Sequence, residues 1–546
     1  MTERTRRGLD VLQAALILGA AGDALLRVTP WGLNLLLWVL MGIAAGIALL
    51  ARWRRASLTS EGRLIILPLI FFAACFVWRD SPTLKLLDSI AIVLALSLAV
   101  LRTRAVSLRL ASMKEHLVAF GFTIFDVVLG LPTVILGDVE WKEIQQARWS
   151  RHAAPIARGL LIAVPLILLF GGLLMAADAV FEGLINDAFN LNTEILFSHA
   201  GLTILFAWVA AGVLRGVLEG RDRVLANSSD AALLSLGVSA PVDEKQAEKS
   251  EAEQKAETPD AQPAYRKPSL SIVEIGVALG LLDLLFLAFV TVQIRYFFGG
   301  AALVQATTGL TYAEYARRGF FELVWVAALV LPLLLVAHWL LRKENPIHER
   351  IFRVLAVGQV ALLFVIMASA MERVRLYQRE YGLTEQRLYT MAFMLWLALV
   401  FLWFMWTVMR GARERFAMGA LVAAFVITGL LHVANPDDLI VRANLSHAER
   451  QGRGFDALYA AGLSADAVPA LAASLPAMTR DERCTTAYFL LYRWPVDARS
   501  DWRTWNIARS RAQETVRENV QSLRAVGCVQ AESAAPPENV IARMKE

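Results

Sequence analysis

The sequence predicts an all-α protein: a polytopic bundle of membrane helices followed by a small soluble helical domain. Three observations carry this. Apolar runs close to the ~20 residues a helix needs to cross a bilayer recur from the N-terminus to Val433. Hydrophobic residues make up 57% of the chain and mean hydropathy is +0.50, above the roughly 45–50% of soluble domains. After Asn435 the composition turns polar. The net charge of +5 could suggest a nucleic-acid partner, but the arginines cluster in short segments between apolar runs. That is the signature of membrane topology, so the expected partner is the lipid bilayer and no nucleic acid.

Membrane helices are expected near 9–27, 31–50, 63–79 and 83–101 in an N-terminal group (1–116), and near 156–177 and 195–216 in a second (156–217). A third group (271–433) holds runs near 271–294, 319–341, 351–372, 387–410 and 415–433. Arg4, Arg6 and Arg7 place the N-terminus in the cytoplasm and make the first run an uncleaved signal anchor. The segments with Arg52, Arg54, Arg55 and Arg63, and with Arg102, Arg104, Arg109 and Lys114, then fall inside. Lys142, Arg148, Arg151 and Arg158 should also be inside, so the intervening run 117–136 has two cytoplasmic flanks. Gly121, Asp126, Gly130 and Pro132 interrupt it, and 117–155 is read as a re-entrant or interfacial segment with a basic loop. Arg342, Lys343, Arg350 and Arg353, and later Arg410, Arg413 and Arg415, return to the inside. About eleven crossings then leave the C-terminus outside.

Residues 218–270 read as a disordered cytoplasmic linker, because Val242–Ala264 is Ala, Glu, Lys and Gln with almost no apolar bulk. The tail, 434–546, reads as an extracytoplasmic helical domain. Thr479 and Glu482 have capping-box spacing. Asp466 suits the cap of a helix over 467–475, and a third helix is expected from Asp501 to Arg524. Cys484 and Cys528 are a candidate disulfide in an oxidising compartment.

Chemistry-bearing motifs are scarce. Zinc-type histidine pairs, a phosphate-binding glycine loop and a nucleophile elbow are all missing, and Gly452-x-Gly454-x-x-Ala457 has no preceding strand to make it a dinucleotide site. No cofactor or metal is expected. Two features stand out. Asp283 lies at the centre of an apolar span, where an ionised carboxylate costs at least ~2.5–3.5 kcal/mol. It reads either as a proton- or cation-handling group or as a neutral, hydrogen-bonded packing residue. The second feature is a polar collar on the expected outer face: Arg295, Tyr312, Tyr315, Arg317, Arg318, Glu322, Glu372, Arg375, Tyr381, Glu385 and Arg387. External arginines run against the topology trend. They would be explained by Arg–Glu networks sealing the loops, or by a site for anionic lipid headgroups or an envelope partner.

The stretches LLFGGLLMAADAVFEGLI (168–185), YAEYARRGFFELVWVAALVLPLLL (312–335), YGLTEQRLYTMAFMLWLALVF (381–401) and NPDDLIVRANLSHAERQGRGFDALYAAGLSADAVPAL (435–471) resemble a bacterial family of multipass membrane proteins, the domain-of-unknown-function family 4153/4173. The likeness covers about 155–530. It implies a bacterial inner-membrane protein and carries no activity or catalytic residue.

These features predict a non-enzymatic membrane protein with a sensing or scaffolding role through its outer collar and tail. The alternatives are a proton-coupled transporter using Asp283, and a membrane enzyme on a lipid-linked envelope substrate with Glu322, Glu372 or Glu385 as acid or base.

Overall fold

A computed structural model describes residues 1–54, 60–103, 113–144, 193–235, 271–308, 320–341, 345–452, 454–496 and 501–526. Helices are numbered below in chain order among these residues, which contain no β-strand. Ten of the described helices are long and apolar enough to cross a membrane. The expected span 156–177 and the linker residues 236–270 lie outside the described residues. The chain divides into two units, one holding Met1–Leu108, Lys114–Val224 and Ala498–Ser510, the other Arg109–Met113, Leu225–Asp497 and Arg511–Glu546.

In the first unit, α1 (Glu3–Leu26), α2 (Leu33–Arg54), α3 (Ser60–Trp78) and α4 (Pro82–Thr103) pack each against the next. The short α1–α2 and α3–α4 turns lie at one end of this bundle, because a single tail segment touches both. Trp505 O accepts from Leu33 N at 3.0 Å, and Asn506 Nδ2 donates to Arg79 O at 2.9 Å. α5 (Met113–Thr133) covers the run read as re-entrant and is one continuous helix, extended by a π-turn over Val134–Asp138 and followed by the short α6 (Trp141–Ile144). Its apolar stretch, His116–Asp138, has the length of a full crossing.

α7 (Thr193–Ser235) runs through the last expected span of its group and on into the segment read as linker, so 218–235 is helical. It passes so close to α1 and α5 that only glycines fit. A Cβ on Gly19 would meet Thr203 O at 2.5 Å, and one on Gly212 would overlap Asp126 O. Small residues that let backbones touch are the usual means of joining helices in lipid, where apolar burial gives little drive.

In the second unit, α8 (Ile272–Thr308), α9 (Phe320–Leu340), α10 (Pro346–Tyr381), α11 (Glu385–Thr407) and α12 (Phe416–Ala434) share one core around Leu279, Phe286, Phe352, Leu363, Phe401, Phe404 and Phe416. The outward faces carry exposed Leu281, Leu284, Leu285, Trp325, Leu329 and Leu402. An apolar exterior around an apolar core suits a lipid solvent. Asn435, in left-handed conformation at φ 51°, turns the chain from α12 into α13 (Pro436–Gln451).

The tail continues as α14 (Ala457–Gly462), α15 (Val468–Ser474), α16 (Arg480–Arg493), α17 (Ile507–Glu518) and α18 (Val520–Ala525). The Thr479–Glu482 capping box forms in both directions. Two expectations fail in detail. Ser464, not Asp466, supplies the cap ahead of α15, because a 3-10 turn over Ala465–Ala467 intervenes. The helix expected from Asp501 breaks into a 3-10 turn and two helices, with Asn506 Oδ1 capping Arg509 N at 3.0 Å.

Gly212→Ala should lower the melting temperature of the purified protein by the equivalent of about 1–3 kcal/mol, the usual range for overpacking. Gly42→Ala, whose Cβ meets nothing within 4 Å, should leave it unchanged.

Candidate functional site at the seam between membrane helices and tail

A helix leaves its last four carbonyls without intrahelical donors. In both units tail side chains supply some of those donors. In the second unit, α10 ends at Gly382, whose φ of 73° and whose Cβ position, 2.6 Å from Asn444 Oδ1, both demand glycine. Asn444 of α13 then binds the turn in both directions. Its Oδ1 accepts from Leu383 N at 2.6 Å and its Nδ2 donates to Leu383 O at 2.8 Å. Gln451 Nε2 donates to Arg379 O at 2.6 Å, and Glu385 N donates to the Tyr459 hydroxyl at 2.9 Å.

In the first unit, Arg503 Nη1 donates to Ala24 O at 2.6 Å and Asn506 Nδ2 to Phe76 O at 2.8 Å. Arg509 reaches Pro30 O at 3.3 Å and lies 3.7 Å from Asp80. Burial holds the Arg509 guanidinium below its ordinary value, with Asp80 opposing. Cations at helix C-termini are favoured by the helix dipole as well as by the hydrogen bonds.

Beside the second seam lies a buried acidic cluster. Asp437, in the first turn of α13, is 1% exposed. Its Oδ2 accepts from Ser464 N at 3.2 Å, while Oδ1 has no hydrogen-bond partner among the described residues. Ser464 Oγ also reaches Asp466 Oδ2 at 3.3 Å. Burial pushes the Asp437 carboxyl up from 3.8 to about 6; the Ser464 hydrogen bonds oppose this, and the nearby Glu385 and Asp466 charges add to it.

Of the expected collar, Tyr312, Tyr315, Arg317 and Arg318 lie outside the described residues, and only the backbone of Arg295 and Glu322 is described. Four of the others make local contacts. Glu372 and Arg375 are 3.7 Å apart. Arg387 donates to Gly382 O and lies 4.2 Å over the Tyr377 ring, which packs against Tyr381 at 4.8 Å between centroids. Cys484 is disulfide-bonded and Cys75 is a buried free thiol; Cys528 lies outside the described residues.

Charges within the spans differ between units. In the first, Arg215 of α7 grips Asp138 at the π-turn, with Nε to Oδ2 at 2.5 Å and Nη2 to Oδ1 at 3.2 Å. Asp126 lies 4.0 Å away, and Arg4 adds a bond to Asp138 at 3.2 Å. In the second, Asp283 makes no ion pair or hydrogen bond among the described residues, and its Oδ1 is buried.

The sequence reading missed Asn444, Asn506, Arg503, Arg509, Asp437 and the Arg215–Asp138 pair. The two aspartates after Asn435-Pro436 were the visible trace of the first cluster. Nothing in sequence order links residues 506 and 76.

Fold and seam together define a polytopic helical membrane protein whose polar tail is bonded to the ends of its membrane helices. The chain belongs to the family described as Domain of unknown function (DUF4153), whose model matches residues 66–474. The match takes in α4 to α15, with Asn444 and Asp437, and stops short of Asn506. No curated protein and no solved structure matches the chain.

Because the folded state holds the Asp437 proton more tightly than the unfolded chain, it binds more protons between about pH 4 and 6, and stability falls as pH rises through that window. The penalty is absent below the unfolded value of 3.8 and complete above about 6, reaching at most about 3 kcal/mol. Asp437→Asn keeps an acceptor for Ser464 N. It should flatten the melting temperature against pH over this window and raise it at neutral pH.

Proposed function

We propose that this is a non-enzymatic protein of a bacterial inner membrane, with its N-terminus in the cytoplasm and its tail outside, that senses or scaffolds through the tail and the adjoining collar. The observation that carries this reading is the seam. Tail side chains complete the backbone hydrogen bonding of turns in both units, so a partner that moves the tail acts directly on helix ends. Charge supports the orientation. In the first unit Arg4, Arg6 and Arg7 lie at the start of α1, whose other end meets the tail; in the second, Arg350, Arg353, Arg410 and Arg415 lie at the helix ends away from Gly382. The Cys484 disulfide fits an oxidising compartment, and we take Cys528 as its partner.

The proposed partner is an envelope protein or an anionic lipid headgroup, met by the collar arginines. Arg375, with a side chain 61% exposed, is the described member best placed to reach one. Replacing Arg317 and Arg375 by glutamine should abolish partner capture by crosslinking in intact cells while the folded protein accumulates normally. Undiminished capture would overturn the reading.

One observation favours a second reading, proton-coupled transport. Among the described residues Asp283 has no partner to explain it as a packing residue. Asp283→Asn should then fold normally and stop solute flux in proteoliposomes, and normal flux would remove it from the mechanism.

A further inference from the structure

The inner face of α8 is a stripe of Ile275, Leu279, Phe286 and Val290, all buried. Asp283 occupies the gap in that stripe, turned away from exposed Leu281, Leu284 and Leu285. It lies against α10 at Gly358, where an added Cβ would stand 3.7 Å from Asp283 Oδ2. Gln359, the next residue, is fully buried, and both its Oε1 and Nε2 lack hydrogen-bond partners among the described residues. Three buried polar atoms at one level of the bundle are therefore unsatisfied.

Native proteins satisfy the great majority of such atoms with protein or water, so each exception calls for a ligand, a water or a proton. The charge environment narrows the choice. No Asp, Glu, Lys, Arg or His occurs at 323–337 of α9, at 354–371 of α10, at 388–409 of α11 or at 416–431 of α12. Among the described residues no cation therefore lies on these central stretches to pair with Asp283, and an ionised carboxylate is costly in that setting.

We propose that the level of Gly358 is a hydrated proton-binding site, with the Asp283 carboxyl as the proton carrier and the Gln359 amide as a partner for its water. The glycine leaves room beside the carboxyl, and the amide can both donate to and accept from water. The site deepens the transport reading but stands or falls by a separate measurement.

An apolar carbodiimide tests it on the full chain in proteoliposomes. A protonated carboxyl adds across the N=C=N group, its proton going to nitrogen, and the adduct rearranges to a stable N-acylurea without any further reactant. Mass spectrometry should find the label on Asp283 and not on exposed Glu274, with labelling that falls as pH rises. Asp283→Asn should remove the label, and Gln359→Leu, checked for an unchanged melting temperature, should change its rate by more than twofold. An unlabelled Asp283, labelling independent of pH, or protection by sodium at fixed pH would overturn the proton site. An unchanged rate in a folded Gln359→Leu would overturn the two-residue site. Correct labelling together with normal flux in Asp283→Asn would keep the site and sink only the transport reading.

Discussion

The constraint on which the structure depends is that a helix leaving a bilayer must find donors for its last carbonyls. Inside the membrane each helix satisfies itself, but its final turn does not, and an unmet buried polar group costs about 1–3 kcal/mol. Here α1, α3 and α10 end where tail residues meet them. Arg503 bonds Ala24 O, Asn506 bonds Phe76 O, and Gln451 bonds Arg379 O. Asparagine recurs because one side chain both donates and accepts. Asn34 does the same within the first unit, donating to Leu25 O and Val28 O and accepting from Gly32 N. Arginine recurs because its fork reaches several carbonyls and complements the negative helix end.

This gives the arginines near the tail a reason other than topology or ligand binding. Arg387 serves Gly382 O in the α10–α11 turn, and Arg493 serves Ala461 O and Leu463 O inside the tail. Charge deeper in the spans follows a different rule. Arg215 and Asp138 are joined by a two-point bond with Arg4 and Asp126 beside them, an arrangement that fixes α7 to α5 and α1. Removing one partner of such a buried set is costly because the other is left charged and alone. Among the described residues Asp283 has no such company, which separates it from the structural charges.

Much of the architecture was legible because apolar length and arginine placement are properties of contiguous sequence. The expected spans at 9–27, 31–50, 83–101, 195–216, 271–294, 387–410 and 415–433 coincide with helices, and the Thr479–Glu482 box is local enough to read directly. The seam was not legible, since Asn506 meets residues more than four hundred positions earlier and an asparagine in a polar tail looks like any other. The break before α17 was hidden because Trp505, Ala508, Ala512 and Val516 have helical spacing whether or not the helix is continuous; Trp505 is exposed while the other three are buried. At 117–136 glycine and proline looked like interruptions, whereas Gly130 is the point where α7 crosses and Pro132 sits within the last turn of α5.

Hydrogen–deuterium exchange of the full chain with and without Asn444→Leu reads what the tail contributes to these helix ends. If tail side chains hold the membrane helix ends, amides from Gln378 to Glu385 should exchange at least about tenfold faster in the variant. The amides of α10 around Gly358 should stay protected. Unchanged protection of the 378–385 turn would contradict this and show that these helix ends are secured without the tail.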